Sequence, residues 1–263
     1  MKTPFLLALA LAGPALALAA PPTESTAPAC AELVITGHPY YPPVSWGSGG
    51  KLKGAAPELV ARLATGLGVL KITSKDFGTW EKAQEAARSG EADIIFGIYR
   101  NRERMEYLEY LDPPFMLDPV SVVVREGAAF PYERWSDLIG KKGVTNAGES
   151  YGDKFDTFLA SELTVARVAG MDKAFAAVLD GTADYAIIAF YPGRDLLRKK
   201  RLSGKVVFLP KTVVAADMYV AFSKKSKCLG ALKEGFAKGL KSAVDGGRAR
   251  ELIQIAEDSL SDQ

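Results

Sequence analysis

Histidine and cysteine are scarce in this sequence, with one histidine and two cysteines among 263 residues. Proteins hold metal ions mostly through clusters of these residues and carboxylates. The cysteines and the histidine are not clustered, so we expect no metal ion and no other cofactor.

The sequence also lacks an excess of charge. Its formal net charge is +2 at pH 7, which is far from the basic balance of a nucleic-acid-binding surface. The lysine-rich run 224–241 has leucine and phenylalanine at helical spacing, which predicts an amphipathic helix with a solvated lysine face. We expect no nucleic-acid partner.

Long apolar runs are missing after residue 20, so no later segment is long enough to span a bilayer. The first segment, MKTPFLLALALAGPALALAA, has a lysine, a short apolar core and small residues at Ala17 and Ala19. This pattern predicts a signal peptide over residues 1–19, followed by a flexible leader over 20–31. We therefore expect an exported, soluble protein.

The two cysteines, Cys30 and Cys228, would lie in an oxidising compartment after export. We expect a disulfide between them, because exported proteins seldom keep two idle thiols. A lipid attached to Cys30 is the alternative, and the preceding Ala-Pro-Ala fits it poorly.

Strand and helix signals alternate along the chain. Strands are predicted at 33–36, 70–73, 93–96, 119–125, 164–168, 184–189 and 218–223. Helices are predicted at 55–67, 80–88 (capped by Thr79), 153–161, 171–180, 191–200, 227–243 and 246–258. This order predicts an α/β fold with two doubly wound parallel sheets.

Three arginines, Arg100, Arg102 and Arg104, follow the buried strand that leads to Gly97. Ligands of open α/β sheets lie beyond the carboxyl ends of the strands. An arginine at this position can bind a carboxylate through its planar guanidinium. The alternative is that all three are solvated surface residues.

Several motifs occur in a fixed order: a Tyr-Pro-Pro loop after the first strand, GAAPELVARLATGLG, Trp80 ahead of SGEAD, Glu103-Arg104 after the next strand, and DPPF. In this order the chain, from about residue 32 to 258, resembles the bacterial extracellular solute-binding proteins of family 3. These are the periplasmic receptors of polar amino-acid ABC transporters.

The resemblance implies a two-lobed periplasmic binding protein fold of type II, with sheets joined by hinge strands that let the lobes close on a ligand. Lobe 1 would hold residues 32–116 and 220–263, and lobe 2 residues 117–219. It also implies a periplasmic location and delivery of the ligand to a membrane ABC transporter permease. We expect a monomer.

In lobe 1 the resemblance places the arginine that binds the ligand's carboxylate at Arg104. It places an aromatic cover at Tyr41 and an aromatic wall at Trp80, although either ring could instead belong to the core. Gly97 and Tyr99 lie between the strand and Arg104, and Tyr99 replaces a usually small hydroxyl residue, which would narrow the pocket.

In lobe 2 the resemblance places a ligand-binding turn at Gly148, Glu149, Ser150 and Tyr151. Backbone N–H groups that open a helix favour an anion, and Ser150 would help to hold the carboxylate. The alternative is an ordinary helix cap.

Ala189 departs from the family pattern, which has there an aspartate that binds the ligand's ammonium. Either another acid, Glu149 or Asp217, replaces it, or the ligand is not a standard α-amino acid, because an unpaired buried ammonium is unfavourable. His38, where an acid is common, is interpreted as a hydrogen-bonded loop residue.

Three functions are compatible with these features. A receptor for a small carboxylate-bearing, amino-acid-like solute fits most of them and needs no catalysis. An exported enzyme similar to cyclohexadienyl dehydratases would need an acid or base in the cleft, for which Glu149 is the candidate. A ligand-binding partner of a signalling system is the third.

Overall fold

The computed structural model describes residues 30–261. The predicted signal peptide over 1–19 and most of the predicted leader over 20–31 lie outside the described residues.

The strands, numbered in chain order, are β1 (Glu32–Gly37), β2 (Tyr40–Tyr41), β3 (Ser45–Ser48), β4 (Lys51–Lys53), β5 (Lys71–Ser74), β6 (Ile94–Tyr99), β7 (Leu108–Arg125), β8 (Lys142–Asn146), β9 (Thr164–Val168), β10 (Tyr185–Ala189) and β11 (Val206–Ser223).

The helices are α1 (Ala55–Gly66), α2 (Trp80–Ser89), α3 (Arg102–Tyr107), α4 (Asp153–Glu162), α5 (Met171–Asp180), α6 (Phe190–Lys199), α7 (Leu229–Asp245) and α8 (Arg248–Ser261). A short 3-10 helix covers Trp135–Leu138.

Two groups of parallel strands form the sheets of two lobes. The strand order is β5-β1-β6-β11-β7-β10-β8-β9. In the first lobe β1 pairs in parallel with β5 and β6, and in the second lobe β8 pairs in parallel with β9 and β10. The predicted two-lobed α/β fold is therefore confirmed, with the two sheets continuous through β7 and β11. A small antiparallel sheet, β2-β3-β4, occupies the predicted loop after β1.

The two crossing strands, β7 and β11, are each 18 residues long and antiparallel, and they pair from Leu108 with Ser223 to Arg125 with Val206. Their register shifts at several places along β11. The sequence predicts only 119–125 and 218–223 of them as strand. Pro113, Pro114 and Pro119 obscure the rest of β7, because proline cannot donate a ladder hydrogen bond.

Helix α2 shows how local sequence positions a residue beside the cleft. The Thr79 side chain accepts a hydrogen bond from the backbone N–H of Lys82 at 3.3 Å, and Gly90 ends the helix with φ 86°. The predicted cap is therefore confirmed. It fixes Trp80 at the first turn of α2, where the side chain is buried.

A disulfide joins Cys30 to Cys228, with a Cα–Cα distance of 5.2 Å. The expected pairing is confirmed. The bond ties the residue two positions before β1 to the residue just before α7.

Candidate functional site

Arg104 lies in α3 and is only 3% exposed. Its Nε donates to Gln84 Oε1 at 3.0 Å, Nη1 to the carbonyl oxygen of Tyr99 at 3.1 Å, and Nη2 to the carbonyl oxygen of Gly148 at 3.2 Å. These bonds use three of the guanidinium's five N–H groups. Because Gly148 belongs to the second lobe, Arg104 bridges the cleft.

Other side chains also connect the lobes around Arg104. Gln84 Nε2 donates to the same Gly148 carbonyl at 3.3 Å, and Asn101 Nδ2 donates to Ser150 Oγ at 2.7 Å. Asn101 also caps α3, since its Oδ1 accepts from the backbone N–H of Arg104 at 2.8 Å. The lobes are thus in contact across the cleft, in a closed arrangement.

The other two arginines have different surroundings. Arg100 pairs with Asp112 at 3.0 Å and lies 4.4 Å from the ring centre of Tyr219. Arg102 is 88% exposed and lies 3.6 Å from Asp153. Of the three, only Arg104 is buried.

A second polar group lies where the crossing strands meet the cleft. Asp118 on β7 is 0% exposed, and its Oδ2 accepts hydrogen bonds from the hydroxyls of Tyr41 and Tyr99, both at 2.5 Å. The two hydroxyl oxygens lie 2.8 Å apart. Among the described residues Asp118 Oδ1 has no hydrogen-bond partner. A buried carboxylate oxygen without a partner is unusual in a folded protein.

His38 and Trp80 continue this group towards the second lobe. His38 Nδ1 accepts a hydrogen bond from the backbone N–H of Tyr40 at 2.9 Å, so Nε2 carries the hydrogen and the ring is neutral. Nε2 lies 3.6 Å from Glu149 Oε1, which is beyond hydrogen-bond distance. The ring is 5.3 Å from Trp80, whose Nε1, like His38 Nε2, has no hydrogen-bond partner within the described chain.

The ionisation of Asp118 reflects its burial. Burial raises the pKa of Asp118 to about 6, the hydrogen bonds from Tyr41 and Tyr99 act against this rise, and the charge of Glu149 adds to it. Burial followed by the charge of Asp118 raises the pKa of both tyrosines well above its usual value. The tyrosines therefore stay protonated and remain donors to Asp118.

This shift predicts a pH dependence of stability. The pKa of Asp118 is higher in the folded protein than in the unfolded chain, so the folded protein is favoured while this carboxyl is protonated. The stabilisation is fully present below pH about 4 and is lost as the pH rises through about 6. The free energy of unfolding falls by roughly 3 kcal/mol over this range. Asp118→Asn should remove this pH dependence, so the variant becomes increasingly stable relative to the parent between pH about 4 and 7. Urea unfolding of both proteins across this range measures the difference, and parallel stability curves would contradict the prediction.

The ionisable groups close to Asp118 lie on several different strands, helices and turns. Tyr41 lies on β2, Tyr99 on β6 and Glu149 in the turn before α4, and Tyr191 on α6 is close enough for the charge of Asp118 to raise its pKa after the larger effect of burial. The same pH series with Glu149→Gln separates the Glu149 contribution.

The predicted turn at residues 148–151 faces the first lobe with some of its polar groups and uses others within the second lobe. Gly148 presents its carbonyl oxygen to Arg104, and Ser150 Oγ bonds to Asn101 and Asp156. The Tyr151 N–H donates to Asp156 at 2.8 Å, so this amide is used within the turn. The Tyr151 hydroxyl bonds to Thr145 and to the Ile187 carbonyl oxygen, inside the second lobe.

Gly97 and Ala189 occupy strand positions beside the cleft. Gly97 has φ 68°, and a Cβ there would lie 2.9 Å from Val44 Cγ1, so glycine suits both the backbone and the space. Ala189 ends β10, pairs with Val120 on β7 and is buried. Neither position offers a polar side chain to a ligand.

A cavity of about 390 Å³ opens next to His38 and Trp80. It lies between the lobes, since its lining also includes Tyr40 of the first lobe and Asn146 and Met171 of the second. The cavity provides space between the two lobes beside His38 and Trp80, whereas Arg104 and Asp118 do not line it.

Sequence reasoning missed Asp118, Gln84 and Asn101 as cleft residues. The signal for Asp118 is an acid directly before the mostly apolar segment 119–124, hidden by the adjacent Pro119. The alternative acid, Asp217, is exposed, and its Oδ2 accepts from the Tyr219 hydroxyl at 3.4 Å.

Residues 30–261 contain neither a cluster of metal ligands nor a membrane-spanning helix. No three or more histidine, cysteine, aspartate and glutamate side chains there are grouped so that they could hold a metal ion. No helix in this part of the chain has the length and apolar character needed to cross a bilayer.

Comparison with known families identifies the class of protein. Residues 33–254 match the bacterial extracellular solute-binding proteins, family 3. The match covers most of the chain, so the protein belongs to this family. No curated protein matched the sequence.

Solved structures share the fold. A mutant of ArgBP from T. maritima superposes with a TM-score of 0.69 at 20% identity, covering 87% of this chain and 96% of that one. AbpA from Streptococcus pneumoniae, an amino acid ABC transporter substrate-binding protein bound to L-arginine, gives 0.68 at 20% identity, covering 88% and 96%. A histidine kinase sensor domain gives 0.70 at 21% identity, covering 85% and 95%.

Proposed function

We propose that this protein is a periplasmic receptor that captures a small, carboxylate-bearing, amino-acid-like ligand between its lobes and delivers it to an ABC transporter. The observation that carries the proposal is the buried guanidinium of Arg104, held at the carboxyl end of β6 and bonded to Gly148 of the opposite lobe. AbpA, the similar structure that is bound to L-arginine, supports an amino-acid-like ligand.

Arg104 suits a carboxylate because its guanidinium is already fixed in orientation. Gln84 and the Tyr99 carbonyl hold it from within the first lobe, so little side-chain entropy is lost on binding. A carboxylate placed against the fork would exchange with the Gly148 carbonyl and take up the remaining N–H groups. Tyr41, Trp80 and Tyr99 would surround the ligand's body.

We assign the lobe boundaries to the crossing strands, with 32–116 and 220–263 in lobe 1 and 117–219 in lobe 2. The interlobe bonds of Arg104, Gln84 and Asn101 must break when the lobes open. The ligand then replaces some of these contacts in the closed receptor, which shifts the population towards closure.

A thermal-shift screen tests the proposal. The panel contains amino acids, dicarboxylates, aromatic acids and small amines. A ligand at about a hundredfold its Kd adds roughly 2.7 kcal/mol to the free energy of unfolding, which raises Tm by several degrees. We expect carboxylate-bearing compounds to give shifts. Hits confined to amines without a carboxylate, or no hits at all, would contradict the proposal.

Delivery to a transporter needs a separate test, because a histidine kinase sensor domain shares the fold. The ligand-loaded protein should be captured by membranes that contain its permease, and the ligand-free protein should be captured less. Capture of a sensor kinase instead would favour the signalling function.

A second candidate function is an exported enzyme on the same scaffold, similar to cyclohexadienyl dehydratases. The observation that favours it is Asp118, a buried carboxyl whose pKa is raised to about 6 beside two tyrosine hydroxyls. Such a group can act as a general acid. Incubation with prephenate or arogenate distinguishes the two functions, since the receptor leaves both compounds unchanged.

A further inference from the structure

Tyr40 and Asp195 connect the two lobes through a contact that does not involve Arg104. Tyr40 lies on β2 of the first lobe and Asp195 on α6 of the second lobe. The Tyr40 hydroxyl donates a hydrogen bond to Asp195 Oδ2 at 2.8 Å. Because the two residues belong to different lobes, this bond exists only while the lobes are closed.

The Asp195 carboxylate is fixed in place by its own helix. Its side chain is only 8% exposed, and it also pairs with Arg198 at 3.1 Å and with Lys199 at 2.9 Å. Burial acts to raise the pKa of Asp195, but the hydrogen bonds from Lys199, from the Tyr40 hydroxyl and from Arg198 outweigh it and leave the pKa below its usual value. Burial, followed by the bond to Asp195, raises the pKa of Tyr40, so its hydroxyl keeps the proton that it donates. A hydrogen bond to an ionised carboxylate is stronger than one between neutral groups.

Arg198 connects α6 to the first lobe a second time. Its Nη2 also donates to the carbonyl oxygen of Leu260, in the last turn of α8. The last four carbonyl groups of a helix have no partner within the helix, and a cation near this end is favourable. Helix α8 packs against α1 and α7, so this bond joins the second lobe to the C-terminal part of the first lobe.

The cavity of about 390 Å³ lies beside these contacts. Its lining includes Tyr40 and Leu196, the residue that follows Asp195 on α6. The lining also includes Trp80, whose ring centre lies 5.6 Å from Arg104 Cζ. The cavity thus adjoins two sets of interlobe contacts, those of Arg104 and those of Asp195.

The two sets respond differently to a ligand. In the proposed receptor a carboxylate bound to Arg104 exchanges with the Gly148 carbonyl, so it replaces an interlobe contact of the first set. The Tyr40 hydroxyl and Asp195 bond to each other, and they can stay bonded while the cavity is occupied. The second set can therefore hold the lobes closed without taking part in recognition.

We propose that Tyr40, Asp195 and Arg198 form an interlobe latch that keeps the lobes closed and determines how long a ligand stays bound. The three are positioning residues, because they act on closure and not on the choice of ligand. The inference rests on the proposed receptor function for the residence time of the ligand, whereas closure itself is a property of the protein alone.

Removal of the Tyr40 hydroxyl tests the interlobe latch. Tyr40→Phe keeps the ring that lines the cavity and removes only the hydrogen bond to Asp195. Tyr132→Phe is the matched control, because the Tyr132 hydroxyl is buried between β7 and β8 and has no hydrogen-bond partner among the described residues.

Two measurements are made on the mature protein with its disulfide intact. Single-molecule fluorescence transfer reports opening of the lobes without added compounds, with dyes on Thr65→Cys in α1 and Ser161→Cys in α4, both exposed positions. Stopped-flow mixing gives the dissociation rate constant of each carboxylate that scores in the ligand screen.

We expect Tyr40→Phe to raise the ratio of open to closed molecules about five- to tenfold, because a hydrogen bond to a charged group is lost from the closed form alone. The dissociation rate constant should rise several-fold and by the same factor for each bound compound. Asp195→Asn should act in the same direction. The double variant should fall short of the product of the single effects, because both substitutions remove the same bond. Tyr132→Phe should change neither readout.

The outcomes separate the interlobe latch from other roles of Tyr40. A dissociation rate constant that rises for one compound and not for another would show a direct contact with the ligand and overturn the inference. Equal opening of the parent and of Tyr40→Phe, or unchanged dissociation, would also overturn it. If no carboxylate binds the parent, the receptor function fails, and opening without ligand still decides: a larger open fraction in Tyr40→Phe supports the interlobe latch, and an equal fraction overturns it.

Discussion

Binding of the carboxylate-bearing ligand is expected to weaken by at least about a hundredfold when Arg104 is replaced by alanine. Loss of one partner of a buried, hydrogen-bonded charge pair removes about 2–5 kcal/mol, and about 1.4 kcal/mol corresponds to a factor of ten in Kd. Alanine also removes the bonds to Gln84, Tyr99 and Gly148, so the closed arrangement loses a contact between the lobes. Calorimetric titration of the strongest hit from the ligand screen measures the change.

Two variants control for the loss of charge and of the interlobe contact. Arg104→Lys keeps a positive charge but not the planar fork, and should recover only part of the affinity. Arg102→Ala removes an exposed arginine from the same helix, which lies 3.6 Å from Asp153 of the other lobe, and should leave Kd nearly unchanged. Unaltered affinity in a folded Arg104→Ala protein would show that the carboxylate binds elsewhere.

Removal of the disulfide is expected to have the largest effect on stability. Cys30 and Cys228 are 198 positions apart, and the chain-entropy relation gives about 5 kcal/mol for a loop of this length, with about 2–5 kcal/mol typical of native disulfides. The double variant Cys30→Ala/Cys228→Ala should therefore unfold at much lower urea concentration than the oxidised parent. Urea denaturation followed by circular dichroism measures the loss.

The bond lies just before β1 and α7, and the hydrogen bonds of Arg104, Asp118 and Ser150 involve neither cysteine. Ligand affinity of the folded double variant should accordingly match that of the parent. Addition of a reductant should destabilise the parent and leave the variant unaffected. A loss of stability below about 1 kcal/mol would contradict the expected contribution of the bond.

Most of the fold could be predicted because its signals are local. The cap at Thr79 and the glycine at position 90 delimit α2, and alternating apolar segments give the parallel strands of both lobes. The length of β7 and β11 could not be predicted, because their prolines resemble strand breaks while the partner strand determines the pairing. The short helix α3 is stabilised by Asn101, a single capping side chain in a stretch dominated by charge.

The cleft was harder to predict than the fold because it depends on contacts between distant segments. Arg104 could be selected from three arginines through the family resemblance, and the structure buries it alone among them. The bonds from Tyr41 and Tyr99 to Asp118 join residues 77 and 19 positions apart, and nothing local marks the aspartate as their partner. The role of each residue towards a ligand stays a prediction until the affinities are measured.

The disulfide also determines what happens when the backbone is cut. The peptide chain from Cys30 to Cys228 and the S–S bond together form one covalent ring, which includes both crossing strands, β7 and β11, and every residue between them. A single proteolytic cut anywhere in this ring opens it without releasing a fragment. Both pieces stay attached until the bond is reduced, so a protease must cut the ring twice before any part of the second lobe can leave.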